Sequence, residues 1–286
     1  MTLRHAFETI YKPRNLRFAS KETIRLWNIS LRMFTRFLKR DANVDDLTDE
    51  NLTAFCMWRR SYVAAATVNR DLASLLALWR YLNRRGILKH WPDVQLEPEP
   101  ARVPVAWTEE EFTRLIATAK KMRGMIGPVP AARWWPAILL LCFDSGERIG
   151  AVMAVKWGDM DLSGRWVIFR AETRKGRDQD SAVRIATDTV AAVSLLPKSS
   201  ETVFPWPFAK AYLWQRYGKL LERADLPSDR RRKFHCIRRT VASHAEAAGG
   251  NATALLRHAS RKNTLAYLDP RIATPQQAID LLWRPT

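Results

Sequence analysis

The sequence predicts a mainly α-helical protein with a small antiparallel β-sheet in its C-terminal part. Three observations indicate this fold class: amphipathic helical segments near the N-terminus, a proline-rich stretch after them, and further helices interrupted by two short strands. The 286 residues are enough for two domains, each with its own core. We expect an all-α N-terminal domain at residues 1–90, a linker at 91–105 and a mostly α C-terminal domain at 106–286.

Apolar residues at three- and four-residue steps predict three N-terminal helices. The first runs from Ser20 to Arg40, and the second follows the capping residue Thr48 to about Arg60. The third runs from Ala64 to Arg85, and Gly86 ends it.

The next segment contains four prolines within residues 91–105 and shows little periodicity, which indicates an extended linker. Thr108 and Glu111 then form a capping box that predicts the start of a new helix. An apolar helix follows at about Ala132 to Phe143, with Gly146 at its end.

Residues 165–170 and 181–186 alternate in the manner of strands, and the polar, basic segment between them predicts a β-hairpin loop. The rest of the chain is predicted to be helical. The expected helices lie at residues 208–224, 235–248, 253–257 and 263–268.

The chain carries 47 Lys and Arg against 29 Asp and Glu, a net charge of +18. Such a field attracts polyanions and favours nucleic acid as the partner. Its basic residues are spread along the chain, which argues against a membrane-surface role. The longest apolar run, Pro136 to Phe143, is far too short to span a bilayer, and the N-terminus lacks a signal-peptide core, so we expect a cytosolic protein.

The cysteines are Cys56, Cys142 and Cys236. Their wide spacing predicts neither a disulfide framework nor a zinc site, and we expect three buried thiols. His235 lies beside Cys236, but no second ligand pair follows at metal spacing.

Groups suited to phosphodiester chemistry lie close together near the C-terminus, at His235, Arg238, His258 and Tyr267. A guanidinium can hold two phosphate oxygens, an imidazole can accept or donate a proton, and a phenol can attack phosphorus. Each residue alone is more typical of an ordinary ion pair or a half-buried aromatic. Only the joint pattern favours catalysis.

The joint pattern resembles the signature boxes of the tyrosine recombinases, the phage integrase family. Residues 144–150, Asp-Ser-Gly-Glu-Arg-Ile-Gly, resemble the first box, and residues 235–240, His-Cys-Ile-Arg-Arg-Thr, resemble the second. Leu-Arg-His at 256–258, with Thr264 and Tyr267, is similar to the segment that carries the nucleophile. Residues 66–72 and 107–111 are similar to the end of the family's core-binding, SAM-like domain and to the start of its catalytic domain.

This resemblance implies a catalytic set, which is Arg148, Lys175, His235, Arg238, His258 and Tyr267. Tyr267 would attack the scissile phosphate and form a 3′-phosphotyrosyl link, and His235 would take the phenolic proton. Arg148 and Arg238 would hold the non-bridging oxygens, with a further hydrogen bond from His258. Lys175 would protonate the leaving 5′-oxygen. No metal, nucleotide or other cofactor is expected.

Three positions depart from the family pattern. Ala151 stands where many members have an acidic residue, so support for Arg148 would come from Asp144 or Glu147. Arg257 replaces a common glycine before His258. The predicted hairpin loop also holds other cations beside Lys175.

Double-stranded DNA is the expected partner, and basic side chains of the N-terminal helices and of the site segments are the expected contacts. They are Arg25, Arg32, Arg36, Arg70, Arg84, Arg174, Arg177 and Arg239. The resemblance further implies a tetramer on paired sites, either a homo-oligomer or a hetero-tetramer with a sister recombinase. The apolar tail after Arg271 would pack in a neighbouring protomer or on its own domain.

The expected function is site-specific DNA recombination in the cytoplasm, at the nucleoid. The expected source is a prokaryote, a phage or a mobile element. Only about 20 residues precede the first predicted helix, which fits a compact, Xer-like enzyme. Two alternatives stay open, a type IB topoisomerase and a DNA-binding protein without catalysis. The N-terminal helical domain argues against the first, and the complete catalytic set argues against the second.

Overall fold

The computed structural model describes residues 1–174, 176 and 179–273. Lys175, Arg177 and most of the C-terminal tail, all of which carried predictions, lie outside the described residues. The chain divides into two compact units, Met1–Ala101 and Arg102–Thr286.

The first unit is helical throughout its regular structure. Its helices are α1 (Leu3–His5), a π-helical turn (Ala6–Tyr11), α2 (Lys12–Asn15), α3 (Lys21–Leu38), α4 (Asp49–Arg60) and α5 (Ala65–Arg84). The predicted cap of α4 is confirmed, because the side chain of Thr48 accepts a hydrogen bond from the backbone N–H of Asn51, and Ser20 caps α3 in the same way through the N–H of Thr23. The helical segment at residues 3–15 was not predicted.

The core of this unit lies between α3, α5 and the N-terminal segment. Phe7, Trp27 and Tyr11 stack on one another, with ring centroids 5.1 Å apart for Phe7 and Trp27 and 4.7 Å apart for Tyr11 and Trp27. Residues 91–108 form neither helix nor strand. The part up to residue 101 groups with this unit, in part because Asn69 exchanges hydrogen bonds with the backbone of Glu97.

The second unit combines helices with two small antiparallel sheets. Its helices are α6 (Glu109–Ala119), α7 (Ala131–Ser145), α8 (Ile149–Met153), α9 (Thr187–Ser194), α10 (Lys210–Arg223), α11 (Phe234–Ala247), α12 (Ala252–Leu255), α13 (Arg261–Leu265) and α14 (Pro270–Ala273). Its strands are β1 (Met125–Ile126), β2 (Val129–Pro130), β3 (Met160–Asp161), β4 (Trp166–Phe169) and β5 (Ser181–Arg184).

The predicted hairpin is β4 and β5, in the register Val167 opposite Val183. Strand β3 extends this hairpin by pairing with β4. The sequence did not predict β3, the β1–β2 pair or α9. The predicted fold class, mainly α with a small antiparallel sheet, is confirmed.

Helix α7 is the centre of the second unit because it is apolar on nearly every face. Trp134, Trp135 and Leu139 are fully buried in it. Helices α6, α9 and α11 pack around α7. The helix ends at Gly146, whose φ of 58° is the left-handed conformation that glycine favours. The chain therefore turns sharply there, two residues before Arg148.

In the part of the chain that the structure describes, no helix combines the length and the apolar character needed to cross a bilayer. The three cysteines are free and buried, as predicted.

Candidate active site

The predicted catalytic residues lie at the starts and ends of short helices of the second unit. Arg148 is the N-cap residue of α8. His235 and Arg238 lie in the first turns of α11, three residues apart and hence on the same side of the helix. His258 follows α12, and Tyr267 follows α13.

Arg238 joins two of these segments. Its side chain is buried, with 2 % of the residue exposed. Nη1 donates to the carbonyl oxygen of Gly146, and Nη2 donates to that of Leu256 at 2.9 Å. Nη2 also lies 3.0 Å from Nε2 of His258. One guanidinium thus fixes the turn after α7 and the turn after α12.

Gly146 fits closely against the second of these turns. A Cβ at this position would lie 3.0 Å from a methyl carbon of Leu256 and 3.3 Å from one of Leu255. Glycine is therefore required at this turn both by the positive φ and by the close approach.

The Arg238 guanidinium also contacts the phenol of Tyr267. A guanidinium has five N–H groups, and Arg238 directs N–H groups to the carbonyl oxygens of Gly146 and Leu256, to Nε2 of His258 and to the hydroxyl of Tyr267. The buried Nε has no hydrogen-bond partner within the described residues. Burial and the positive charge of Arg148 lower the pKa of Arg238 to about 10, so the group stays charged at neutral pH.

The ring of Tyr267 lies between the two imidazoles. Its centroid is 5.0 Å from that of His235 and 4.8 Å from that of His258. The guanidinium carbon of Arg238 is 5.6 Å from the same centroid. The phenol is half-buried. A phenol, two imidazoles and a guanidinium thus lie together.

His235 is held in its neutral form. Desolvation, followed by the positive charges of Arg239, Arg238, Arg148 and His258, lowers the pKa of His235 from 6.5 to about 4. The residue as a whole is exposed, which keeps the ring accessible. A neutral imidazole at pH 7 can accept a proton from a phenol.

His258 is oriented by a pair of threonines. Its Nδ1 lies 3.1 Å from Oγ1 of Thr264, which in turn lies 2.9 Å from Oγ1 of Thr253. A hydroxyl can donate or accept, so this chain satisfies Nδ1 whether or not that nitrogen carries the proton. With the proton on Nε2, the ring can donate to a phosphate oxygen; with the proton on Nδ1, Nε2 accepts from Arg238.

The chain directly after Tyr267 is anchored by buried polar groups. The hydroxyl of Ser243 on α11 accepts from the backbone N–H of Asp269 at 2.9 Å. The carboxylate of Asp269 accepts from the backbone N–H of Ala106 at 2.9 Å and pairs with Arg271. The Arg271 guanidinium and the two backbone N–H groups that bind the Asp269 carboxylate offset its desolvation and hold the pKa of that group below its usual range.

The remaining predicted site residues have different surroundings. Arg148 is half-buried, and its charge acts on both His235 and Arg238. Lys175 and Arg177 lie outside the described residues. Arg174 is buried and paired with Glu147 at 2.9 Å, so its guanidinium is engaged inside the unit and is not presented at the surface.

The other expected DNA contacts are distributed as follows. Arg239 is half-buried and donates to the backbone carbonyl of Arg231. In the first unit, Arg25 pairs with Glu22, and Arg70 pairs with the buried Asp71. The side chains of Arg32, Arg36 and Arg84 are exposed on α3 and α5.

Sequence reasoning missed several supporting residues. Glu147 was considered as a partner of Arg148, but its described ion pairs are with Arg174 and Arg257. Asp144, the other candidate for that role, accepts from the backbone N–H of Ala186 at 2.7 Å. No sequence signal marked Asp269.

Within the described residues, no group of three or more His, Cys, Asp or Glu side chains is arranged to hold a metal ion. The donors that face Tyr267 are instead guanidinium and imidazole groups. Cationic N–H donors around a phenol can bind and polarise a phosphodiester and stabilise the charge that develops during attack on phosphorus.

The chain is similar in sequence to known proteins. Residues 7–87 match the family model described as the phage integrase N-terminal SAM-like domain. The chain is 25% identical over 190 residues to tyrosine recombinase XerC of Lactobacillus delbrueckii subsp. bulgaricus, an alignment that covers 63% of this chain and 62% of that relative. It is also 25% identical over 269 residues to XerC of Oceanobacillus iheyensis, covering 87% and 86% of the two chains.

The fold is also that of solved members of the same group. A lambda integrase fragment (75–356), crystallised as a dimer bound to a COC′ core site, superposes with a TM-score of 0.73 at 17% identity, covering 95% of this chain and 96% of that one. The chain is therefore similar in sequence to tyrosine recombinases and similar in fold to a phage integrase.

Proposed function

We propose that this protein is a site-specific recombinase that cuts and rejoins double-stranded DNA through a 3′-phosphotyrosyl intermediate. The observation that carries the proposal is the placement of Tyr267 between His235 and His258, with ring centroids 5.0 and 4.8 Å away and Arg238 against the same ring. A half-buried structural tyrosine has no need of three cationic or titratable neighbours.

The first transesterification assigns a role to each group. Oη of Tyr267 forms a bond to phosphorus, the bond from phosphorus to the 5′-oxygen breaks, and the phenolic proton passes to His235. A free phenol has a pKa of about 10, so a neutral imidazole at the ring is needed at neutral pH. The 5′-oxygen leaves as a hydroxyl, with Lys175 as the proposed proton donor. Attack by the 5′-hydroxyl of a partner strand reverses these steps and releases Tyr267.

Charge stabilisation comes from the cations around the phosphate. Arg238 supplies one guanidinium beside Tyr267, and Arg148 supplies a second from the N-cap of α8. Donors fixed in advance at the developing charge contribute about 2.7–4 kcal/mol each in comparable sites. The carbonyl contacts of Arg238 supply that fixation.

The proposed partners are DNA and further copies of the chain or of a sister recombinase, in a tetramer on two paired sites. The net charge of +18 and the exposed arginines Arg32, Arg36 and Arg84 of the first unit support DNA binding. The DNA-bound dimer of lambda integrase fragments supports assembly on DNA. The proposed location is the cytoplasm, at the nucleoid.

A covalent-capture experiment tests the proposal. Binding selection from random duplexes with Tyr267→Phe yields the recognised sequence without cleavage. Nicked suicide substrates are then made with the nick moved stepwise across that sequence, so that the strand after the cut diffuses away and the intermediate accumulates. We expect a protein–DNA adduct for the wild-type chain at one nick position and none for Tyr267→Phe. The absence of a Tyr267-dependent adduct over the whole set would refute the proposal.

A further inference from the structure

The second unit contains a buried ion cluster beside the catalytic groups, formed by Glu147, Arg174 and Arg257. Oε1 of Glu147 lies 2.9 Å from Nη2 of Arg174 and 3.5 Å from Nη1 of Arg257. The side chain of Glu147 is 3% exposed, and those of Arg174 and Arg257 are 5% and 25% exposed. A charge pair so far from solvent is held firmly, because either partner alone would be left desolvated and unpaired.

The cluster joins three segments that are distant in sequence. Glu147 directly precedes Arg148, and Arg257 directly precedes His258. Arg174 ends the 3-10 turn after β4 and also donates to the carbonyl oxygen of Gln179 at 3.0 Å, across the loop between β4 and β5. Each member of the cluster therefore belongs to a segment that carries, or borders, a proposed catalytic group.

Arg257 reaches further into the turn after α7. Its Nη1 donates to the carbonyl oxygen of Ser145 at 3.3 Å and to that of Leu255 at 3.0 Å. One side chain thus spans the turn that precedes Arg148 and the turn that precedes His258. The buried guanidinium of Arg238 spans the same two turns from its own position on α11.

The backbone of Arg257 adopts a conformation that is unusual for arginine. Its φ is 54°, in the left-handed region that glycine adopts freely and that other residues seldom adopt. A glycine would therefore suit the turn better than arginine does. The arginine must contribute through its side chain if it contributes at all.

We propose that Arg257 and Glu147 are positioning residues for the cleavage step. Their ion pair holds the turn of Arg148 against the turn of His258, so that the groups that bind the phosphate are in place before DNA arrives. This inference rests on the proposed function, but the ordering of the two turns is measurable without DNA. Neither residue is assigned a contact with the reacting atoms.

Arg257→Gly is the sharpest variant, because it relieves the backbone while it removes the side chain. We expect single-turnover cleavage of the suicide substrate at saturating protein to slow at least 10-fold, with DNA affinity within threefold of wild type. Arg257→Lys keeps the charge and should recover part of the rate. Arg123→Gly, on an exposed turn of the same unit, removes one positive charge and should leave the rate unchanged.

The double variant Glu147→Gln with Arg257→Gly tests whether the two residues act as a pair. If they do, the double variant should cleave no more than about threefold more slowly than the slower single variant, because both substitutions break the same contact. Rate losses that multiply would show that the two residues act independently, and the inference would be wrong.

Hydrogen exchange in the DNA-free protein separates this inference from the proposed function. Peptides that cover residues 144–150 and 253–260 should exchange faster in Arg257→Gly than in wild type or in Arg123→Gly, while the thermal midpoint stays level or rises. Unchanged exchange in both peptides, or cleavage by Arg257→Gly within twofold of wild type, would overturn the inference. A wild-type protein that forms no adduct but shows the faster exchange in the variant would refute the recombinase function and retain the link between the turns.

Discussion

Replacing Arg238 by lysine tests whether the guanidinium fork, and not only the positive charge, builds the site. In the structure the two terminal nitrogens of Arg238 donate hydrogen bonds to different segments. Nη1 donates to the carbonyl oxygen of Gly146, and Nη2 donates to that of Leu256. A lysine ammonium places all its donors on one nitrogen, so it cannot take both positions. One of these two buried carbonyl groups should lose its partner in Arg238→Lys.

The size of each effect follows from these contacts. An unpaired buried carbonyl costs about 1–3 kcal/mol of unfolding free energy. For a unit of this size that lowers the melting temperature by roughly 2–4 °C for each kcal/mol. Loss of the paired donors aimed at the phosphate should slow cleavage about 10²–10³-fold, corresponding to about 2.7–4 kcal/mol of transition-state stabilisation.

The assay is single-turnover cleavage of the suicide substrate at saturating protein, with urea unfolding of the same preparations. Arg123→Lys, an exposed change of the same type, serves as the control and should match wild type in both measurements. If Arg238→Lys cleaves within tenfold of wild type, the fork is not what binds the transition state. If its unfolding free energy is unchanged, the carbonyl contacts do not hold the two turns together.

Three further outcomes are expected. Thr264→Val removes the hydroxyl that orients His258, so it should lower the unfolding free energy by about 1–3 kcal/mol and slow cleavage. Thr264→Ser keeps the hydroxyl and should preserve both. Urea unfolding and the rate of adduct formation measure the two effects. Asp71→Ala should destabilise the first unit by about 3–5 kcal/mol in calorimetry, because Arg59 loses a buried partner 2.9 Å away; a loss below 1 kcal/mol would contradict this. The NMR titration of His235 in the DNA-free protein should have its midpoint near pH 4, because burial and neighbouring cations lower its folded pKa. Its contribution to stability should fall as the pH drops from 6.5 to 4, and a midpoint near 6.5 would contradict both causes.

Local signals were sufficient to predict most helices. The side chains of Thr48 and Thr108 cap the helices that the sequence assigned to them, and Gly146 ends α7 in the left-handed conformation. These features depend on neighbours within four residues, so they can be read from the sequence.

The missed elements depend on distant partners or on mixed signals. Strand β3 has two residues and exists because it pairs with β4, which no local pattern reveals. The N-terminal segment does carry Leu3, Phe7 and Tyr11 at helical spacing, and all three are buried. Pro13 and the dense charges around them concealed that periodicity.

The site residues also divide into those that the sequence revealed and those that depend on distant partners. The order and spacing of Arg148, His235, Arg238, His258 and Tyr267 were visible in the sequence through the resemblance to a family. Their supports were not, because Glu147 pairs with residues 27 and 110 positions further along the chain. No sequence pattern identifies the partner of a buried carboxylate such as Glu147, which lies next to the proposed catalytic residue Arg148.

The electrostatics of the DNA-free site imply a last prediction, on proton transfer. Burial, together with neighbouring positive charges, lowers the pKa values of both His235 and Arg238 beside Tyr267. A bound phosphodiester should oppose the part of each shift that neighbouring positive charge causes. One negative charge at about 5 Å and an effective dielectric of about 20 favours the protonated imidazole by about 3 kcal/mol, or roughly two pKa units.

The pKa of His235 should therefore rise from about 4 towards about 6 when DNA binds. The ring would still be neutral at pH 7, yet it would be a stronger base at the moment when the phenol must lose its proton. Titration of His235 by NMR in complexes of Tyr267→Phe with the selected duplex measures the shift directly, and an unselected duplex at the same salt concentration is the control. A midpoint that stays near 4 with the selected duplex would mean that the phosphate does not sit among these cations, and the assignment of His235 as the proton acceptor would fail with it.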